Sequence, residues 1–442
     1  MKQLFDKDYV ISEYGSIDKF LEKAYAADIA EFLMEIPKEE IKDILDRFSV
    51  KEKARIISYL NEKTGKYIAK IYDARTLSGI ISNMYSDDAA DFLGIMSVGK
   101  VKEVLNLMQK ELAVELQKLL EFDEKSAGGL MNTEYIAFYE DDTVEKVIKE
   151  IRNLVHEQEM IYYIYILNRR KMLVGVVSVR QLLIANPDTV LRDIMNENVI
   201  KVTVNMEQQE VARLLSKYDL LALPVVNKHE QLVGVITIDD ALDIIEEEAT
   251  EDIYKISVTS DIESAGGVLQ AVKQRLPWLI ILLFGDLLAG SVISGFEESL
   301  QAVVALAFFI PVLMDMGGNI GTQVLTVVVR GLATGELRLS DFKDHLAQEI
   351  RVGFIIALII GLGVSLIAVI WQSSLVLGFI VGLSMFLTLV TSAAVGTIMP
   401  FVVKRLGADP AIAAGPFITT IIDITGLLIY FSIANLLMDK LI

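Results

Sequence analysis

The sequence predicts a multi-domain membrane protein: an α-helical, superhelical N-terminal domain, an α/β tandem repeat, an acidic connecting helix and a five-helix transmembrane bundle. Three observations predict this fold class. Apolar runs long enough to cross a bilayer concentrate after Lys273. A repeat with an offset of 59 residues occupies the middle of the chain. In the first 130 residues, apolar residues recur at the spacing of an α-helix. The predicted domains are 1–130, 131–248, 249–272 and 273–442.

Charge is divided unevenly along the chain. From Lys273 onward there are 9 basic and 11 acidic residues, whereas 32 basic and 49 acidic residues precede it. An acidic soluble part argues against nucleic acid as a partner, because phosphates require a basic surface. It is compatible with cation binding, or with solubility alone. There are no cysteines, which excludes disulfides and thiolate chemistry. The N-terminal MKQLFDKDYV has no apolar run, so we expect no cleavable signal peptide.

Residues 1–130 are predicted to be helical throughout. Apolar side chains recur at three- and four-residue spacing, as in Ile29, Phe32, Leu33 and Ile36. The segment Ala27 to Leu33 also resembles Asp87 to Leu93. A stack of short helices is therefore expected.

The repeat in the middle matches residues 165–178 to residues 224–237. Each copy is predicted as β-α-β-β-α, and two such copies resemble a pair of CBS domains, which are regulatory modules. In many CBS domains a Thr-x-x-Asp after the last strand contacts a nucleotide ribose. Thr237 and Asp240 have that spacing, whereas the first copy has Ser178 and Gln181. Either the second copy binds a nucleotide such as ATP, or the motif has no ligand.

An acidic helix is predicted to connect the repeat to the membrane part. It begins near Asp239, and Glu248 shares a face with Glu251 and Asp252 at three- and four-residue spacing. Like charges at that spacing destabilise a bare helix. A divalent cation that prefers oxygen ligands would relieve the repulsion. The alternative is a solvated acidic helix.

Five segments are apolar enough to span a bilayer. Basic residues concentrate in cytoplasmic loops, and they flank these segments so that the N-terminus lies inside and the C-terminus outside. The predicted spans are Leu276–Gly295, Gln301–Val329, Val352–Trp371, Leu375–Val403 and Ala411–Leu437.

Carboxylates occur inside these spans without basic partners. Asp286, Asp315 and Asp423 are the acidic residues, and Asn319 is a further polar one. Such residues are costly in a membrane and are candidates for function. They favour a cation path over an anion path. The structural alternative is neutral carboxyl groups hydrogen-bonded between helices.

The order of these parts, together with two membrane motifs, resembles the MgtE family of magnesium channels and transporters. The segment Pro311 to Gln323 contains GGNIGTQ, similar to the family's GGNxGxQ stretch. Asp409-Pro410 and the later Asp423-Ile424-Thr425-Gly426 are similar to its last-span stretch. The resemblance covers essentially the whole chain.

The resemblance implies a homodimer in the cell (inner) membrane that takes up Mg²⁺ and has no enzymatic activity. It implies that Asp423 binds hydrated Mg²⁺ and that Gly318, Asn319 and Thr419 line the pore. It also implies that intracellular Mg²⁺ closes the channel by binding acidic cytosolic residues, with the connecting helix acting as a plug, and that ATP is a candidate modulator. The implied sensor residues are Asp87, Asp91, Asp219, Asp240, Asp243, Glu248, Glu251, Asp252 and Asp409.

Three other functions compete with transport of Mg²⁺. A CBS-regulated anion channel would need basic or hydroxyl-rich pore motifs and more spans. A membrane aspartyl protease would need two facing carboxylates with separated pKa values, for which Asp315 and Asp423 are the candidates. A receptor-like regulator would transport nothing.

Overall fold

The computed structural model describes residues 5–154, 162–256, 267–413 and 415–441. The chain divides into two compact units, Met1–Glu247 and Glu248–Ile442. The first unit begins with short helices: α1 Lys7–Tyr14, α2 Ile17–Lys23, α3 Ala26–Glu35, α4 Lys38–Leu45, α5 Val50–Ser58, α6 Glu62–Ile71, α7 Ala74–Ile81, α8 Ser86–Gly94, α9 Val98–Leu105, α10 Lys110–Leu119 and α11 Ala127–Leu130.

These helices are short because polar caps recur closely along the chain. Side chains of Ser16, Ser49, Asn61 and Asp73 each accept a hydrogen bond from the first turn of the helix that follows. Each helix buries one apolar stripe. Phe20 and Phe32, which are fully buried, pack edge to face with ring centroids 5.4 Å apart.

The α/β repeat forms two three-stranded sheets with the same topology. Its elements are β1 Ala137–Tyr139, α12 Val144–Leu154, β2 Tyr163–Leu167, β3 Leu173–Ser178, α13 Val179–Ile184, β4 Val202–Thr203, α14 Gln208–Lys217, β5 Ala222–Val226, β6 Leu232–Thr237 and α15 Ile238–Ile256.

The two copies share their strand register. In each sheet the first strand runs parallel to the second, and the second antiparallel to the third. Ile164 pairs with Val177, and Leu223 pairs with Ile236 at the equivalent positions of the second copy. The predicted β-α-β-β-α repeat is therefore confirmed.

One continuous core joins the short helices to the second copy of the repeat. Leu93, Met131, Val225 and Ile236 belong to it. The loop after α11 is also tied to β6, because Asn132 and Val235 exchange two backbone hydrogen bonds of 2.8 Å. The loop thereby places Asn132 beside the N-terminal end of α8, where Asp87 lies.

Helix α15 continues past the predicted domain boundary at residue 248. The predicted connecting segment 249–272 includes residues 257–266, which lie outside the described residues. On either side of them the structure gives helix, up to Ile256 and again from Gly267.

The second unit holds five helices that are long and apolar enough to cross a membrane, counted over the described residues. Pro311 is the second residue of its helix, whereas α20 continues through Pro400. The elements are α16 Gly267–Gly295, α17 Glu297–Ala302, α18 Ile310–Ala333, α19 Phe342–Gln372, α20 Leu375–Arg405, α21 Gly415–Leu436 and α22 Met438–Leu441.

Glycines allow the membrane helices to approach closely. A β-carbon on Gly396 of α20 would lie 2.6 Å from the carbonyl oxygen of Gly321 on α18, so a larger residue does not fit there. The fully buried Tyr430 of α21 donates a hydrogen bond of 2.9 Å to the carbonyl of Leu306. The bundle thus combines close backbone packing with a satisfied polar group at Tyr430, whereas the buried hydroxyls of Ser384 and Thr388 on α20 have no hydrogen-bond partner among the described residues.

Candidate cation sites

An acidic cluster lies at helix α8 in the first unit. Asp87 is at the start of this helix and Asp91 is one turn later, so both project from one side. Asp240, near the start of α15, lies close enough for its charge to act on both of them. Three of the predicted sensor residues are therefore brought together by the fold.

The Asp87 carboxyl is the most enclosed member of the cluster. Its Oδ1 accepts hydrogen bonds from the Asn132 side-chain amide (3.3 Å) and from the Asp88 backbone N–H (2.9 Å). Burial, followed by repulsion from Asp240 and Asp88, holds the pKa of Asp87 well above its ordinary value. Two neutral donors do not compensate the charge, so a bound cation would stabilise the ionised form.

Asp240 and Asp91 are shifted in the same direction. The Asp240 Oδ2 accepts from the Thr237 hydroxyl (2.6 Å) and from the Thr237 backbone N–H (3.1 Å). Burial nevertheless raises the pKa of Asp240 to about 6. Desolvation, with repulsion from Asp88, raises the pKa of Asp91 to about 6. Asp91 is exposed, so water screens its charge and its effect on stability is smaller.

Further carboxylates belong to this cluster and were missed by the sequence reasoning. Burial, then repulsion from Glu115 and Asp88, raises the pKa of Glu134 to about 7. Glu124 acts on Asp91 in the same way. Only Asp88 carried a local signal, since it adjoins Asp87. Glu115, Glu124 and Glu134 come from separate elements, and no spacing in the sequence indicates that they meet.

The remaining predicted sensor residues lie elsewhere. Asp219 follows α14 with a φ of +51°, in the left-handed region that Asp tolerates. Asp243 is exposed, and partial desolvation raises its pKa. Glu248 and Glu251 are half-buried on α15. The side chain of Asp252 lies outside the described residues.

Among the described residues, no group of three or more His, Asp or Glu side chains is arranged to hold a metal ion directly. The carboxylates of the cluster act on one another through their charges without forming a closed set of ligands. Mg²⁺ retains most of its waters and is commonly held through one or two carboxylates. The cluster therefore fits a hydrated divalent cation better than a dehydrated one.

The membrane unit carries its own carboxylate site on α21. Asp423 is half-buried, and the charges of Asp286 and Asp315 both act on it. Asp315 accepts a hydrogen bond of 3.1 Å from the side-chain amide of Asn319. Oxygen atoms are thus the available ligands on this surface, as hard divalent cations require.

The predicted pore-lining residues lie on α18 and α21, the helices that carry Asp315 and Asp423. Asn319 is exposed. Gly318 is buried, and a β-carbon there would lie 3.2 Å from the Thr419 methyl group. Gly318 therefore lies at the contact between α18 and α21. The Asp409 Oδ1 accepts a hydrogen bond of 2.9 Å from the Ala411 backbone N–H, which caps the turn before α21.

A cleft of about 90 Å³ lies between the two copies of the repeat. Its lining includes Tyr163, Tyr165, Asn196 and Pro224, and the lining residues do not include Thr237 or Asp240. The hydroxyl of Tyr165 is buried and has no hydrogen-bond partner among the described residues. The Thr-x-x-Asp motif is therefore not part of the lining of this cleft.

A membrane domain with carboxylates on three helices, in a chain that also carries a tandem α/β repeat, is typical of a cation transporter. Comparison with known proteins supports this class. Residues 310–433 match the MgtE family model, described as a divalent cation transporter. Residues 24–125 match the MgtE intracellular N domain, and residues 127–188 and 191–247 match CBS domains. The chain belongs to the MgtE family.

Two relatives extend over nearly the whole chain. The magnesium transporter MgtE of Thermus thermophilus is 36% identical over 91% of this chain and 88% of its own length. Magnesium transporter MgtE of Bacillus subtilis is 35% identical over 98% of this chain and 96% of its own length. The predicted family and fold class are therefore confirmed.

Two solved structures resemble about half of this chain. The cytosolic domain of the Mg²⁺ channel MgtE in complex with ATP has 32% identity and a TM-score of 0.50. The match covers 54% of this chain and 98% of the chain in that structure. The soluble part of a magnesium transporter has 29% identity, a TM-score of 0.50, and covers 55% and 94%.

The raised pKa values predict how stability depends on pH. A raised pKa means that the folded carboxyl binds its proton more tightly than the unfolded chain does. The corresponding stability is complete below about pH 3.8 and is lost as the pH rises through about 6. Asp240→Asn should therefore raise the first melting temperature of the full-length protein at pH 7.5 without Mg²⁺, by about 2–6 °C.

Calorimetry with and without Mg²⁺ checks this expectation. The difference between wild type and Asp240→Asn should grow from pH 5 to pH 7.5 and shrink when Mg²⁺ is added. The exposed Asp188 supplies the matched control, and Asp188→Asn should leave the melting temperature unchanged. An equal rise of the melting temperature in Asp240→Asn and Asp188→Asn would contradict the inference that charge in the acidic cluster lowers the stability of the folded protein.

Proposed function

We propose that this chain carries Mg²⁺ into the cytoplasm down its electrochemical gradient. Its family and the names of its relatives support Mg²⁺ as the cargo. The observation that carries the proposal is the carboxylate surface around Asp423 within the membrane unit. An inward-negative potential contributes roughly 4.6 kcal/mol per 100 mV for a divalent ion. Uptake therefore needs no nucleotide hydrolysis.

Hydrated Mg²⁺ would be held by Asp423 through its retained waters, with Asn319 and the backbone near Thr419 beside it. A homodimer would place two Asp423 carboxylates around one pore, which matches the ligand number that Mg²⁺ commonly takes from proteins. The charge bias of the loops supports a cytoplasmic N-terminus and an outward C-terminus in the cell (inner) membrane.

Cytosolic Mg²⁺ would regulate this pore through the acidic cluster. At low Mg²⁺ the ionised carboxylates are partly desolvated and repel one another, and the raised pKa values of Asp87, Asp91 and Asp240, caused first by burial and then by nearby negative charges, express that cost. Bound Mg²⁺ would remove the repulsion and favour a compact arrangement of the cytosolic part. The acidic connecting helix would transmit this population shift to the pore and close it.

ATP is a candidate modulator of the same module. The related cytosolic domain was solved with ATP. The cleft beside Tyr163 and Tyr165 offers aromatic side chains for stacking and a buried Tyr165 hydroxyl that has no hydrogen-bond partner in the described part of the chain. The Thr237 hydroxyl and Asp240 are the alternative location, although they are bonded to each other in the structure.

Asp423→Asn should abolish most Mg²⁺ uptake into liposomes that contain the full-length protein, because the amide removes the negative charge that attracts the ion. A loss of at least about tenfold is expected for a contact worth 1.4 kcal/mol or more. Asp439→Asn, an exposed change on α22, serves as the control. Wild-type flux in Asp423→Asn would contradict the pore assignment.

Neutralising the cytosolic cluster should uncouple uptake from internal Mg²⁺. With Asp87→Asn and Asp240→Asn together, flux should persist when millimolar Mg²⁺ is enclosed on the cytosolic side, whereas wild-type flux should fall. The variant loses the charge through which Mg²⁺ would act, yet its pore is unchanged. Equal inhibition of both proteins would count against gating by this cluster.

Tyr165→Phe should weaken ATP binding about three- to tenfold, which is the range for one hydrogen bond. Calorimetric titration of the full-length protein measures the affinity. Tyr139→Phe is the control, since Tyr139 is an exposed tyrosine of the same domain. A loss of ATP binding in Thr237→Ala, with none in Tyr165→Phe, would place the nucleotide at the other location.

A further inference from the structure

Two carboxylates beside Asp423 are given no separate role in the function proposed above. Asp286 lies on α16 and Asp315 on α18, and both are exposed on the chain. Their negative charges both act on Asp423 of α21. Two other helices therefore each bring a carboxylate within electrostatic reach of Asp423.

Direct helix contacts place Asp315 and Asp423 at one level. A β-carbon on Gly317 of α18 would lie 2.9 Å from Ile422, and one on Gly321 would lie 3.2 Å from Ile418. Lower numbers on α18 thus meet higher numbers on α21, so the two helices run antiparallel. Asp315 precedes Gly317 by two residues, and Asp423 follows Ile422 by one residue. Because the helices are antiparallel, both carboxylates lie on the same side of the contact between Gly317 and Ile422.

A second contact positions Asp286 beside the same helix. A β-carbon on Gly285 of α16 would lie 2.5 Å from the Thr420 methyl group of α21. Asp286 follows Gly285 directly, and Asp423 lies almost one turn beyond Thr420. The Asn319 amide, which donates to Asp315 at 3.1 Å, holds that carboxylate on the same side of α18 as Asn319.

No base is available within the spans to neutralise these three charges. The sequence has no Lys, Arg or His in residues 276–295, 301–329, 352–371, 375–403 or 411–437. An ionised carboxylate facing lipid is costly, so a surface with three of them must face water and its cations. The match of residues 310–433 to a divalent cation transporter points independently to the ion that this surface meets.

We propose that Asp286 and Asp315 form one cation-selecting site with Asp423, and that they set the preference of this site for divalent over monovalent cations. The inference rests on the proposed function, because it assigns these residues to the same ion path. Each added carboxylate attracts a divalent ion with twice the Coulomb energy of a monovalent ion at equal distance. Mg²⁺ keeps its waters there, since the carboxylates act through charge and through water.

The test uses the full-length protein in liposomes, with Mg²⁺ and K⁺ as the probes. Asp286→Asn, Asp315→Asn and the double variant remove charge without changing size. The double variant should require about tenfold more Mg²⁺ for half-maximal flux, and its Mg²⁺-to-K⁺ permeability ratio should fall by a similar factor. Asp344→Asn, an exposed change at the start of α19, should match wild type.

Asp315→Glu distinguishes charge from packing. It retains the negative charge, so it should keep most of the selectivity that Asp315→Asn loses, and this comparison stands if the double variant fails to fold. Wild-type affinity and permeability ratio in folded Asp286→Asn and Asp315→Asn would overturn the inference and leave the proposed function intact. Wild-type protein that carries no Mg²⁺ would overturn both.

Discussion

Repulsion between carboxylates that lie close together in partly desolvated surroundings is the interaction on which the rest of this protein depends. In the first unit it involves α8, α10, the loop after α11 and α15; in the second it involves α16, α18 and α21. In the first unit burial adds to the repulsion and is the larger cause of the raised pKa values. Bringing such charges together costs stability, and that cost becomes a dependence on cations.

The surrounding fold holds these charges close despite their repulsion. The acidic cluster of the first unit is fixed by a core shared between the short helices and the second sheet, and by the backbone hydrogen bonds between Asn132 and Val235. The membrane carboxylates are fixed by glycine contacts that bring α18 against α20 and α21. In both units apolar packing supplies the stability that the charges remove.

Much of the fold could be predicted, because its signals are local. Span length, charge bias and the repeat each act within a short window, and the structure has five candidate spans and two matching sheets. The candidate sites were predicted less completely. Glu134 and Glu115 lie on different elements, so only tertiary packing brings their charges together. Asp286 and Asp315 were visible as membrane carboxylates, but their nearness to Asp423 depends on helix contacts. Similarly, the Thr237 motif gave no indication of the cleft at Tyr165.

Proton release on Mg²⁺ binding tests the central claim most directly, because protons and Mg²⁺ would compete for the same strained carboxylates. Carboxyls with a pKa of about 6 to about 7, such as Asp240 and Glu134, are partly protonated near pH 6.5. Adding Mg²⁺ to weakly buffered full-length protein at that pH should release about one proton per chain, and almost none at pH 8.5. Mg²⁺ binding at pH 6.5 without any proton release would contradict the account.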